Sequence, residues 1–229
     1  MFHRAMMIAT ASLAAIAAST AASAGAINWN QWSGTFTQSA TAGSATGTAG
    51  SVGVTYSGEL ENLFLGYPSW QPSPSTFSGG TIGNAPVPAD GIVQLFGGGT
   101  TVDTITFSHA VTNPVLAIWS LGQGGINGNF TFTSSEPFTI ESGGPSAEYG
   151  GSSITAVGNT VFGVEGNGTI QFIGTFTSIS WTNSTFENWY GFDVGVSAVP
   201  EPASWALMIV GLGLVGGGLR RKTRETAQA

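Results

Sequence analysis

The 229-residue chain has a formal net charge of −7, no cysteine and only five Lys or Arg residues, and its charges are segregated. Arg4, Arg220, Arg221, Lys222 and Arg224 all lie near the termini, so the segment from Gly25 to Ala198 holds ten carboxylates and no Lys or Arg. A segment with no cation to neutralise phosphates excludes nucleic-acid binding, and charge pairing with anionic lipid or acidic polysaccharide falls on the same ground. Thiol nucleophiles, Schiff-base lysines and cationic transition-state clamps are excluded as well.

The chain opens with Arg4, an alanine-rich apolar run from Ala5 to Ala18, and small residues ending in Ala22-Ser23-Ala24. These are the three parts of a secretory signal peptide, which predicts export with residues 1–24 removed before Gly25. The exported segment, residues 25–198, has the size of one domain with a substantial core. Lacking cysteine although exported, it depends on packing or bound metal for stability.

Within that domain, short alternating runs of Val, Ile, Phe, Thr and Trp recur between Gly, Ser, Asn and Pro clusters, and helix signals are nearly absent. The pattern predicts an all-β domain, a jelly-roll-like two-sheet sandwich. Predicted strands are 30–37, 51–57, 91–96, 102–108, 115–121, 129–133, 138–142, 153–157, 160–164, 169–173, 176–182 and 189–196. The Thr/Ser/Ala/Gly stretch 37–51 between the first two is low in complexity and has no regular repeat. Tyr67-Pro68-Ser69-Trp70-Gln71-Pro72-Ser73-Pro74 reads as a long exposed loop, the kind that carries function. There Trp70 is a candidate aromatic platform for a sugar ring or an anchor for the loop itself.

Val115-Leu116-Ala117-Ile118-Trp119 is apolar on both faces and predicts a central strand covered on both sides. Gly166-Asn167, between two predicted strands, signals a hairpin with Glu165 solvated at its tip. The segments 179–182 and 186–192 are expected to pair with each other. In the last strand Tyr190, Phe192, Val194 and Val196 share one face, and Gly191, Asp193 and Gly195 share the other, which predicts one packed face and one nearly bare of side chains, either open to a loop, ligand or metal or covered by a neighbouring element.

The chemistry on offer is limited. No GxSxG elbow, zinc signature or P-loop occurs, and His109, the only histidine of the domain, follows a predicted strand as a surface residue would. A two-carboxylate glycoside hydrolase is the one enzyme class these residues allow, although no spacing recommends a pair. Calcium suits the oxygen-rich groups Glu59 to Asn62 and Glu187, Asn188 and Asp193, which makes Glu187 and Asp193 candidate ligands of a divalent ion.

The tail reads as Val199-Pro200-Glu201-Pro202-Ala203-Ser204-Trp205-Ala206, an uncharged Gly-rich run to Leu219, then Arg220-Arg221-Lys222-Thr223-Arg224. As a helix, residues 203–219 would span about 26 Å, slightly short of a hydrocarbon core, with Trp205 as an interfacial aromatic and the cations 220–224 on the cytoplasmic side. Gly211 to Gly216 spells GxGxxG, but too few residues remain beyond it for a dinucleotide-binding unit.

This three-part tail over 199–224 resembles the PEP-CTERM sorting signal of Gram-negative bacteria, in the variant with Trp-Ala after the motif. The resemblance implies recognition by an exosortase, a membrane-embedded cysteine protease. Pro200, Glu201, Pro202, Trp205, Ala206, Arg220, Arg221 and Lys222 are then sorting residues without a catalytic role. It implies an inner-membrane anchor before processing, release to the cell surface or beyond, and a setting of exopolysaccharide and biofilm. The expected function is that of a non-enzymatic surface or matrix protein, with a neutral-glycan-binding module and a glycan-cleaving enzyme as alternatives.

Overall fold

The computed structural model describes residues 24–70, 75–133, 137–198 and 208–213, and almost everything regular in it is strand. In chain order the strands are β1 (Ile27–Trp29), β2 (Gln31–Thr37), β3 (Ser39–Ala49), β4 (Val52–Leu60), β5 (Asn62–Phe64), β6 (Ile92–Leu95), β7 (Asp103–Thr112) and β8 (Val115–Leu121). They continue with β9 (Gly128–Phe132), β10 (Phe138–Gly143), β11 (Ser152–Ser153), β12 (Thr155–Val157), β13 (Thr160–Gly163), β14 (Gly166–Phe172), β15 (Thr175–Thr182) and β16 (Tyr190–Ser197). They form two eight-stranded sheets that pack as a sandwich. The first runs β10, β14, β8, β16, β6, β5, with β1 also on β16 and β11 parallel to β14. The second runs β12, β13, β9, β15, β7, β4, β3, β2.

Between the sheets lies an aromatic core. Phe192 of β16 meets Trp181 of β15 and Tyr56 of β4 edge-on, at ring-centroid separations of 5.1 and 5.2 Å. Further along, Phe172 of β14 meets Phe132 of β9 at 4.9 Å and 89°. Such geometry sets ring edges against π faces and favours one packing over its rivals.

A second apolar layer covers the outer face of the first sheet. Val115, Ala117 and Trp119 point into it from β8, Ile27 and Trp29 from β1, and Trp70, Phe77 and Ile82 from the segment between β5 and β6. Leu116 and Ile118 point the other way, into the main core. The central strand covered on both sides is therefore present as expected, and Trp119 is fully buried.

The double covering overturns one expectation and decides between the alternatives of another. The described part of the predicted loop, residues 67–70, does not stand out in solvent; Pro68–Trp70 is a 3-10 turn that buries Ser69 and Trp70 over the sheet. Nor is the Gly191, Asp193 and Gly195 face open. A Cβ on Gly191 would lie 2.4 Å from Ile92 Cγ2 and 2.6 Å from the Val93 carbonyl oxygen, and one on Gly195 would lie 2.4 Å from Ile27 Cγ2. The glycines admit close approach, and what approaches is the protein's own second layer.

Three further differences concern pairing. The stretch 37–51 contains the eleven-residue strand β3, held between β2 and β4. Its small residues give no hydrophobic alternation, so the strand is visible only through its partners. The segments expected to make a hairpin lie in different sheets, β13 on β9 and β14 on β8. Glu165, with φ of 50°, turns the chain from one sheet to the other, and Gly166-Asn167 already belongs to β14. In the same way β15 and β16 do not pair; they face each other across the core.

The expected export signal lies outside the described residues except for Ala24. Of the expected tail helix 203–219, residues 208–213 are described; they are helical, with Met208, Ile209, Val210 and Leu212 exposed. No helix among the described residues is long and apolar enough to cross a membrane.

If Gly191 is glycine because β6 presses on it, Gly191→Ala must push the Val93 backbone aside. An overpacking cost of roughly 1–3 kcal/mol is expected, read from urea unfolding midpoints. An unchanged midpoint would show that the two strands separate freely.

Candidate functional site

At one end of the first sheet, a recess of about 180 Å³ opens between Ser120, Gly122, Gln123, Tyr149, Glu165, Glu187, Asn188 and Trp189. Three elements build it. The end of β8 supplies Ser120, the crossing from β13 to β14 supplies Glu165, and the approach to β16 supplies Glu187 to Trp189. Ser120 and Glu165 both adopt left-handed backbone conformations, φ 57° and 50°, which non-glycine residues rarely hold.

One buried side chain keeps them there. Asn167, with no solvent exposure, accepts from the Ser120 amide through Oδ1 at 2.8 Å and donates to the Glu165 carbonyl through Nδ2 at 2.8 Å. The Ser120 hydroxyl in turn donates to Glu165 Oε2 at 2.6 Å. Glu165 is therefore half-buried and aimed into the recess, not solvated at a hairpin tip. Across from it the Asn188 amide donates to Gln123 Oε1 at 3.0 Å.

Glu187 sits at the back, 1% exposed, and neither of its carboxyl oxygens completes a hydrogen bond. Burial, and then the Glu165 carboxylate, push its pKa up to about 9, against the opposing pull of the nearby Gly122 amide. The wall is aromatic: Trp189 packs on Trp119 at 4.0 Å, and Tyr149, more than half exposed, leans on Trp119 at 5.4 Å.

The structure separates the two expected metal ligands. Glu187 faces Glu165, whereas Asp193 is fully buried on the outer face of β16 and accepts from the Trp32 indole N–H at 2.9 Å. Burial pushes the Asp193 carboxyl well above the usual carboxylate range, Asp90 adds to this, and the Val194 amide and Trp32 oppose it. No group of three or more His, Cys, Asp or Glu side chains suited to a metal occurs among the described residues.

Trp70 is 1% exposed, packs edge-on against Phe77 at 5.0 Å and donates to the Gly91 carbonyl at 3.0 Å. It anchors the covering loop and offers no face for a sugar ring to stack on. His109 is exposed on β7. The sorting residues Pro200, Glu201, Pro202, Trp205, Ala206, Arg220, Arg221 and Lys222 lie outside the described residues.

A second recess, of about 340 Å³, includes Glu59 and Asp103 with Gly97, Gly98 and Asn183. Both acids are already engaged. Glu59 Oε1 accepts from the Phe96 amide at 2.8 Å and Glu59 Oε2 from the Gly97 amide at 2.9 Å. Asp103 Oδ1 accepts from the Tyr56 hydroxyl at 2.8 Å and the Glu59 amide at 2.7 Å.

The outward face of the second sheet forms a third feature. Thr46, Thr55, Thr106 and Ser178 lie side by side across β3, β4, β7 and β15, and Ser44, Ser57, Thr104 and Ser180 form the next row. Strand and pleat spacings set hydroxyl-bearing positions about 4.8 Å apart across the strands and about 7 Å apart along them. The first row is exposed throughout, and neither row carries a charge.

Burial raises the Asp103 pKa to about 7, helped by the Glu59 charge and opposed by the Glu59 amide and the Tyr56 hydroxyl. Tyr190 also lies within electrostatic reach. The folded chain thus holds this proton more tightly than the unfolded one. The resulting stability is complete below about pH 4 and is lost as pH rises through about 7, at no more than about 1.4 kcal/mol per pH unit. Asp103→Asn, which keeps the acceptor oxygen, is expected to flatten that part of the profile in urea titrations between pH 5 and 7.5. An identical slope in the variant would count against the assignment.

No curated protein and no solved structure matches the chain. A family match falls on the tail, where residues 198–222 fit the model of the PEP-CTERM protein-sorting motif. That motif implies export, with processing by an exosortase at the membrane. The chain, an acidic two-sheet sandwich followed by this tail, carries a PEP-CTERM sorting motif.

Proposed function

We propose that this is a surface or matrix protein without enzymatic activity, whose jelly-roll-like domain meets neutral exopolysaccharide once an exosortase has processed its tail. The observation that supports this reading is the outward face of the second sheet. Its two rows of Ser and Thr hydroxyls, uncharged and four strands wide, match the hydrogen-bonding repertoire of a neutral glycan and repel neither it nor its hydration shell. A domain with ten carboxylates and no Lys or Arg suits a neutral polymer better than an acidic one. The domain sits immediately before the sorting motif, so processing delivers this face to the cell exterior.

A second reading, a carbohydrate-binding module working through the recess, is favoured by the half-exposed Tyr149 ring and Trp189. The recess volume of about 180 Å³ is below the ~300 Å³ at which pockets for small organic ligands begin. A sugar would therefore rest on Tyr149 and would not be enclosed.

Two experiments test these readings. Replacing Pro200, Glu201 and Pro202 by Ala in a host with an exosortase is expected to leave a longer, membrane-retained protein; normal release would overturn the sorting role of these residues. In affinity electrophoresis, retardation by neutral exopolysaccharide is expected and retardation by an acidic one is not. The double change Thr55→Glu, Thr106→Glu should weaken it at least tenfold, whereas Val157→Glu at the far edge should not. Loss with Tyr149→Ala instead would favour the module reading, and turnover of the glycan would overturn the non-enzymatic assignment.

A further inference from the structure

The carboxyl of Glu187 is enclosed in the Ser120 to Trp189 recess without a completed hydrogen bond on either oxygen, the Gly122 amide being only nearby. Each other buried or half-buried carboxyl among the described residues has a donor on at least one oxygen. Glu59 has the Phe96 and Gly97 amides, Asp103 has Tyr56 and the Glu59 amide, and Asp90 has the Val87 amide. No Lys or Arg exists between Gly25 and Ala198 to answer Glu187 or the neighbouring Glu165. A buried carboxyl left without partners is unfavourable, and a second carboxylate facing the same space adds repulsion.

The rest of the lining supplies what a hard cation takes. Ser120 contributes a hydroxyl, and Gln123 and Asn188 contribute amide oxygens. Asn167 locks Ser120 and Glu165 in place from behind, so the donors on that side are pre-positioned. About 180 Å³ leaves room for an ion with several of its waters, each occupying roughly 30 Å³.

We propose that the recess between Glu165 and Glu187 is a divalent-cation site of the calcium class, with both carboxylates as its anionic ligands and neutral oxygens or water completing the shell. Calcium accepts six to eight oxygens in flexible geometry, which a mixed set drawn from three separate chain segments can provide. A smaller ion that demands a strict octahedron fits such a set less well. Bound there, the ion ties the end of β8, the β13 to β14 crossing and the entry to β16 together.

The full-length chain in detergent, at matched ionic strength, provides the test. With calcium chloride the melting temperature is expected to rise further than with sodium chloride, and calorimetry should show saturable binding of one calcium. Terbium bound in place of calcium should emit when the Trp189 indole is excited. Glu187→Gln is expected to reduce calcium affinity at least tenfold and remove the terbium signal, and Asp103→Asn to preserve both. Should Glu187→Gln fail to fold, Glu165→Gln, at a half-buried position, carries the same expectation. Equal melts in the two salts, or undiminished binding in the variant that folds, would overturn the proposal.

Discussion

The constraint on which the rest of the structure depends is that the first sheet is covered on both faces. β8 and β16 run through its middle and have apolar layers above and below, so almost none of their surface reaches water. That explains the uninterrupted apolar run at 115–119 and the alternation of large and absent side chains in β16. On the inner side Tyr190, Phe192 and Val194 fill the space against Trp181 and Phe130. On the outer side, glycine lets β6 and β1 close in. Trp70 and Phe77, between β5 and β6, are held by the same covering, because they are buried only by lying on the sheet. The apolar surface removed from water there is the main gain from docking these side chains on the sheet.

Covering the sheet so fully has an electrostatic consequence. The domain has ten carboxylates and no Lys or Arg, and its one histidine is exposed on β7, so every acid that is drawn inside must be met by amides, hydroxyls or an indole. Glu59, Asp90, Asp103 and Asp193 are met in that way, by donors the fold brings to them. Burial raises the pKa of each all the same, because the donors offset only part of the lost hydration. Glu187 is the exception in this series, with no completed hydrogen bond and only the nearby Gly122 amide and another carboxylate facing it. The contrast between four supported acids and one unsupported acid gives the recess its chemical identity, and composition alone would not reveal it.

The second sheet behaves differently. Its inner face carries Tyr56, Ile105, Phe107 and Trp181, while its outer face is Ser and Thr over several strands, the usual alternation of a sheet with one face in water. The result is an asymmetric domain, with an apolar-covered sheet on one side and an uncharged hydroxyl face on the other. Such a surface can be presented at the cell exterior without attracting polyanions.

Much of the architecture was legible in local pattern. Val115 to Leu121 was readable to the residue, because a strand buried on both faces leaves an unbroken apolar run. The sorting tail was readable because a processing enzyme recognises it as a linear motif. The all-β class followed from recurring short alternations, which need no partner to be seen. Pairing was another matter. β3 consists of Ser, Ala, Thr and Gly, and only β2 and β4 on either side make it a strand. The turn at Glu165 has hairpin composition, yet the competition between sheets for β13 and β14 sends them apart. The roles of Trp70, Asp193 and Glu187 depended on what lies against them: a tryptophan between prolines reads alike whether it faces solvent or a sheet, and an acid reads alike whether it meets an indole or another carboxylate. By itself, the sequence determined the all-β class and, through the sorting motif, export with exosortase processing, since these rest on local periodicity and linear motifs. Only the tertiary structure decided which acids are buried and which partners they find, because burial and partnership are set by residues distant along the chain.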